Sequence, residues 1–252
     1  MFICINLGVS IMRLSIKNYV SYNLIELFKR GHLALGLLAA LGPAILISYV
    51  TLTGSISFNI KHVANFYCML GMLATVLHPL YIVNRDYSTK TISLINNSKQ
   101  NRKNYVLANV AIALLISLIY IVFGITLLLV TKQLGMPGEL KLSFLIGFTV
   151  NVFLLVLTFF LFGYTLLLYG VRSGAVYGIL TALLLFFHNI LFNILENTHN
   201  KFLSGAIENF PGYFYPVMVG SNPLSSLQYF IGCITIFIFL VLIFNRSKKI
   251  EI

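Results

Sequence analysis

Apolar residues in this chain come in long runs, and polar residues come in short breaks between them. Six runs, at 32–52, 63–83, 105–131, 143–169, 174–194 and 227–244, are each close to the ~20 residues needed to cross ~30 Å of hydrocarbon. The pattern predicts six spanning helices, because lipid offers the backbone no water and a helix satisfies its own hydrogen bonds. The third and fourth runs exceed the minimum and are expected to tilt or protrude. Ahead of them, 12–31 repeats differently. Ile16, Tyr19, Val20, Leu24, Leu27 and Phe28 fall at three- and four-residue steps, with Arg13, Lys17 and Lys29 on the other side. That pattern predicts an amphipathic helix lying in the membrane interface. The alternative is the start of the first span; the junction Lys29-Arg30-Gly31 favours the interfacial helix. Residues 1–11 are apolar, uncharged and too short to span, and they lack the basic start of a secretory signal. They read as an extension, with Met12 as an alternative start. The expected division is thus an extension at 1–11, an interfacial helix at 12–31 and a six-helix membrane domain at 32–252.

Composition agrees with this reading. The chain is 59% hydrophobic and 9% charged, with a mean hydropathy of +0.93, where a soluble domain carries about 25% charged residues. The net charge of +11 does not point to nucleic acid, since the cations sit at the ends of apolar runs rather than on one face. They set an orientation instead. With the N-terminus inside, thirteen Lys and Arg fall on inner segments and four (Lys61, Lys132, Lys141, Lys201) on outer ones. Both termini are therefore expected in the cytoplasm, in a multi-pass protein of the cell membrane. Cys4, Cys68 and Cys233 stand in apolar surroundings at unrelated spacings and read as small core residues.

Two polar segments break the pattern. The first, 84–104 (NRDYSTKTISLINNSKQNRKN), carries five cations: Arg85, Lys90, Lys99, Arg102 and Lys103. Tyr87, Ile92, Leu94 and Ile95 within it allow a short helix along the membrane, with side chains for a partner's groove. An ordinary basic loop obeying the charge rule is the plainer reading. The second segment, 195–226, holds the apolar patches FLSGAI and YFYPVMV, broken by Pro211, Pro216 and Pro223. It suggests short re-entrant or interfacial helices on the outer side, rather than a soluble domain.

Candidate chemistry is sparse. No phosphate-binding GxxxxGK[ST] run, HExxH or GxSxG occurs, and no two histidines stand at i, i+4. Of six acidic residues, none falls in the middle of a predicted span, where a charge costs ~3 kcal/mol or more and marks a function. The chain is read as a non-enzyme, with no catalytic residue, no metal site and no cofactor of its own. His78, before Pro79, is either a titratable relay or, the plainer reading, a satisfied histidine near the inner interface. His188, Asn189 and Asn193 in the fifth run, and Asn65, Asn109 and Asn151 elsewhere, either bond helices together or line a path. Phe210, Tyr213, Phe214 and Tyr215 either form a gate that touches an apolar cargo or rest among headgroups.

Taken together, this pattern resembles the ABC-2 type transporter permeases. The resemblance covers nearly all the chain after Met12. It rests on the elbow-like 12–30, six spans, an acidic residue and a Thr after the second span (Asp86, Thr91), basic residues leading into the third (Arg102, Lys103), and the segment 195–226. The family often has Gly just before that Thr, where this chain has Lys90, and Pro later in the loop, where it has none. Size and low charge are similar to the permease subunits of phenol-soluble modulin exporters and lantibiotic-immunity systems. The resemblance implies an exporter subunit paired with a second permease subunit. Two separate ABC ATPase subunits would bind ATP and Mg and dock on 84–104 through Asp86, Tyr87, Thr91, Ile92, Leu94, Arg102 and Lys103. The implied cargo is an amphipathic peptide or lipid-like molecule. The alternative is a membrane immunity protein or scaffold that captures peptides at the surface without transport.

Overall fold

A computed structural model describes residues 13–54, 58–95 and 98–247. The extension 1–11 lies outside the described residues, as does the side chain of Leu94. The described residues form helices α1 (Ile16–Lys29), α2 (His32–Leu52), α3 (Ile60–Ser88), α4 (Thr91–Ile95), α5 (Lys99–Gln133) and α6 (Leu142–Leu168). They continue with α7 (Ser173–Asn197), α8 (Lys201–Glu208), α9 (Pro211–Met218) and α10 (Ser226–Ser247). Six of these, α2, α3, α5, α6, α7 and α10, are long and apolar enough to cross a membrane. The protein is an all-α, multi-span membrane protein.

Local chemistry sets the ends. The Ser15 hydroxyl accepts from the Asn18 amide at the start of α1, and Ser98 caps α5 by accepting from Asn101 at 3.1 Å. Asn59 and His62 cap α3 reciprocally. Gly31 turns the chain from α1 into α2 at φ 75°, a left-handed value that suits glycine. The helices overrun the apolar stretches. α3 continues past residue 83 to Ser88 and α5 begins at Lys99 rather than 105, so the polar segment 84–104 is mostly helix. A helix need not stop where hydrophobicity stops; it stops where its carbonyls find other partners.

The core is built from α3, α5 and α6. Within the most apolar stretch of each, 56%, 50% and 61% of residues are buried, against 28% for α2, 11% for α7 and 17% for α10. Small residues permit the close approach, as they do where lipid supplies no hydrophobic drive between helices. At Gly124 a Cβ would stand 2.8 Å from the Tyr67 ring and 2.9 Å from Phe148. α2 runs antiparallel along α3, with Ala40 against Gly71 and Gly36 against His78. His78 bonds the Tyr120 hydroxyl at 3.0 Å, so it is a satisfied histidine at a helix–helix contact. Asn151 is a bonding residue too: it donates to the Asn222 carbonyl at 3.1 Å and accepts from Tyr229 at 3.0 Å. Asn109 is buried and bonds its own helix, to the Tyr105 carbonyl. Cys68 is buried, whereas Cys233 faces outward from α10.

Two segments take a more specific form than their patterns gave. On α1, Val20 and Leu27 are turned into the protein, while Tyr22, Ile25 and Phe28 remain outside, Phe28 at 71% exposure. The apolar face is used for packing, and a second apolar stripe faces out. In 195–226 the chain forms two short helices, and most of its aromatic cluster is buried. Tyr213, Phe214 and Tyr215 pack inward, with Tyr215 edge-on to Phe159 at 6.3 Å; Phe210 is 43% exposed.

Candidate functional site

Two places in this fold can do work, one at each end of α3. The first is where α1, α4, the end of α3 and the start of α5 meet, here termed the basic end. α1 carries a polar stripe, Tyr19, Asn23, Glu26 and Arg30, at steps of three and four residues, placing all four on one face. That stripe meets Arg85 and Asp86 of α3. The Tyr19 phenol donates to Asp86 Oδ2, and Tyr105 of α5 donates to the same oxygen at 3.2 Å. Arg85 donates to Asp86 Oδ1 from Nη2 at 2.8 Å, pairs with Glu26 through Nη1, and gives a 2.7 Å bond to Asn23 Oδ1. Glu26 also holds Arg30 at 2.8 Å. The result is a charge-balanced knot joining three helices. Asp86 is 2% exposed, and a carboxylate buried this far requires such pairing. Burial and then the Asp86 charge push the Tyr19 phenol well above its usual range, so it stays a donor. A second clasp ties α1 to α5: Asn101 Oδ1 accepts from the Leu14 amide and Asn104 donates to the Leu14 carbonyl, both at 2.8 Å.

The residues expected to dock a partner are therefore split. Asp86 faces inward and presents no charge outward; its partners are within the chain. Ile92 is buried as well. Tyr87, Thr91 and Arg102 are half-buried and Lys103 is exposed; of Leu94, only the backbone belongs to the described structure. What the basic end offers to a partner is the turn Ser88-Thr89-Lys90 between α3 and α4, exposed at all three positions. Lys90 adopts φ 58°, a left-handed conformation that glycine adopts more readily than a residue with a Cβ.

The second place is a cleft of about 410 Å³ at the far half of α3. Asn65, Phe66, Met69 and Met72 of α3 form one wall, and Leu184, Leu185, His188, Asn189 and Phe192 of α7 form the other; Pro216 and Val217 of α9 close one end. The lining is mostly apolar with a few amides and one imidazole, a composition suited to an amphipathic ligand. α7 is not a regular helix here. Leu183–Phe187 forms a π turn just before His188, and such a bulge resets the face on which later side chains stand. The His188 Nδ1 atom is buried without a hydrogen-bond partner.

Beyond the cleft, Asn189, Asn193 and Asn197 recur every four residues on α7, and all three are exposed. Asn193 borders a shallower recess with Ile190, Ile194, Asn197 and Thr198. Of the residues expected on a cargo path, Asn189 lines the cleft and Asn193 lies one turn further on. Phe210 packs edge-on to Phe187 of the π turn at 6.3 Å, while Tyr213, Phe214 and Tyr215 support α9 from within. The patterning missed the knot partners Asn23, Glu26 and Tyr19, although polar residues recurring on one face of α1 were the available sign. It also missed Met69 and Met72, which carry no sign in an apolar run. No protein-family model matches this chain, and no curated protein matches it significantly.

Proposed function

We propose that this chain is the membrane subunit of an ATP-driven exporter in the cell membrane, with both termini cytoplasmic. It is worked by two separate ATPase subunits and pairs with a second permease subunit. The observation that carries the reading is the continuity of α3. This single helix, about 43 Å long at 1.5 Å per residue, runs from the exposed Ser88–Lys90 turn to the wall of the cleft. A push on the turn reaches the cleft along one continuous helix, which carries Pro79 in its interior, and the knot makes α1 and α5 move with it. α4 and the turn supply the docking surface, with Lys90 and Lys103 as its cations. The exposed asparagine stripe on α7 supports pairing, because amides in a span find partners in another helix or in water rather than in lipid. The cleft suits an amphipathic peptide or a lipid-like molecule.

The test is co-purification with the ATPase partner, recognisable by its GxxxxGK[ST] run. Replacing Ser88, Thr89 and Lys90 with a Gly-Ser-Gly linker is expected to abolish association while membrane insertion and the knot persist. Unchanged association would refute docking at this turn. Peptide protection that survives loss of ATP hydrolysis would instead favour the non-transporting immunity or scaffold reading.

A further inference from the structure

We propose that His188 is the hydrogen-bond donor that orients an uncharged acyl-chain amphiphile in the cleft between α3 and α7, its Nε2–H turned to the carbonyl oxygen of the ligand's head. This deepens the cargo reading of the cleft and rests on it. In a neutral imidazole one nitrogen donates and the other accepts. Among the described residues neither nitrogen of His188 has a hydrogen-bond partner, yet only Nδ1 is buried, and the ring lines the cleft. A buried N–H with no acceptor is rarer than a buried acceptor left unmet. The proton therefore sits on Nε2, and His188 presents a fixed donor to the cleft. The π turn Leu183–Phe187 ends immediately before this residue and sets the face on which the ring stands.

The rest of the lining selects the ligand. Asn65 and Asn189 add amides that can each donate and accept. No charged side chain is among the lining residues. An ionised head would leave water here without a counter-charge, which is far costlier than burying a carbonyl that finds a donor. A peptide would bring two backbone groups per residue, more than these few polar side chains can satisfy. An acyl chain brings none, and Phe66, Met69, Met72 and Phe192 offer it apolar walls. Positions 65–72 lie within the apolar run 63–83 of α3, so the cleft sits at hydrocarbon depth. Met69 and Phe192, one on each wall, are both exposed. The cleft is thus open to the membrane and admits a chain from the side. Its volume of about 410 Å³ falls in the ~300–1,000 Å³ range of small-ligand sites.

The experiment photolabels the full chain in a fluorinated detergent and locates the labels by peptide mass spectrometry. Two probes are used, a diazirine-bearing monododecanoylglycerol and a diazirine-bearing hydrocarbon of similar length. The glyceride is expected to label 65–72 of α3 and 184–192 of α7. Unlabelled glyceride should displace it at lower concentration than dodecanoate, dodecylammonium or an uncharged apolar peptide. Glutamine can place an amide N–H where Nε2 stands, and asparagine only where Nδ1 stands. H188N is therefore expected to weaken glyceride binding roughly fivefold, the effect of one hydrogen bond. H188Q should stay near native, and hydrocarbon labelling should be unchanged in both variants. A merely structural role would weaken both probes alike, and that result overturns the proposal. So does native binding in H188N, an equal loss in H188N and H188Q, or better displacement by a charged competitor or the peptide. No label in the cleft from either probe overturns the cargo site and this proposal together. Failure confined to the variants or the competitors leaves the cargo site standing.

Discussion

Tyr19 of α1 donates its phenol hydrogen to the carboxylate of Asp86 in α3, across 67 positions of sequence. Around that bond the amphipathic helix, the longest core helices and the α3–α4 turn become one unit. The carboxylate also accepts from Arg85 and Tyr105, so removing it strands the Tyr19 and Tyr105 hydroxyls and leaves Arg85 with Glu26 and Asn23 alone. Asp86→Ala is expected to cost about 3 kcal/mol or more, the usual loss when one partner of a buried pair is deleted. Thermal unfolding in detergent measures this. Limited proteolysis near Lys29 should show α1 released in the variant and protected in the native chain.

The same bond confers a pH dependence of definite sign. Burial and Asp86 raise the folded pKa of Tyr19 above its unfolded value near 10. Its contribution is complete at neutral pH and is lost as the pH rises above about 10, because the unfolded phenol ionises first. Stability followed from pH 8 to 11 should fall less steeply in Tyr19→Phe than in the native chain. The variant should be less stable at neutral pH by about 1–3 kcal/mol, for the buried acceptor left behind.

Gly124 lets α5 approach two aromatic rings. The Tyr67 ring is held by its own bond to the Tyr120 carbonyl at 2.6 Å and cannot readily give way. Gly124→Val is therefore expected to destabilise the bundle by about 1–3 kcal/mol through overpacking. Gly178→Val, at an exposed position on α7 with nothing within 4 Å, serves as the control. Melting temperatures of the two variants separate crowding from any general intolerance of glycine replacement.

Lys90 pays the steric cost of a left-handed conformation that glycine does not. Lys90→Gly should stabilise the α3–α4 turn by about 0.5 kcal/mol, the conformational relief less the added chain entropy. Lys90→Ile should destabilise it, since a branched Cβ fits that region poorly. Hydrogen exchange of the Ser93 amide, which bonds the Lys90 carbonyl at 3.1 Å, reports both changes.

Filling the cleft tests the transport reading separately from folding. Met69 is 50% exposed on the cleft wall. Met69→Trp is expected to lower export by about tenfold by occupying volume that a ligand needs. The melting temperature should change little, because no core contact is lost. Export at the native rate would place the path elsewhere.

The limits of the linear reading are visible in particular residues. Asp86 lies in a basic polar segment beside its ion-pair partner Arg85, and nothing within seven positions of it reveals that its two hydroxyl partners come from α1 and α5. Tyr213, Phe214 and Tyr215 read locally as an aromatic surface, yet α9 folds back and buries them. Asn189 and Asn193 were visible as polar interruptions of an apolar run, but the π turn that directs them is a backbone choice with no residue signature in LLLFF.

Hydrophobic periodicity by itself determined the all-helical class, the six helices long and apolar enough to span, and the presence of a helix ahead of them. Those features follow from a local rule: a backbone in lipid must bond within its own segment. Only the tertiary structure decided that the acid of the central segment turns inward, that α1 is locked to α3, and that a cleft opens between α3 and α7. Each of these depends on which helix faces become neighbours, and partners separated by tens of residues leave no shared period along the chain.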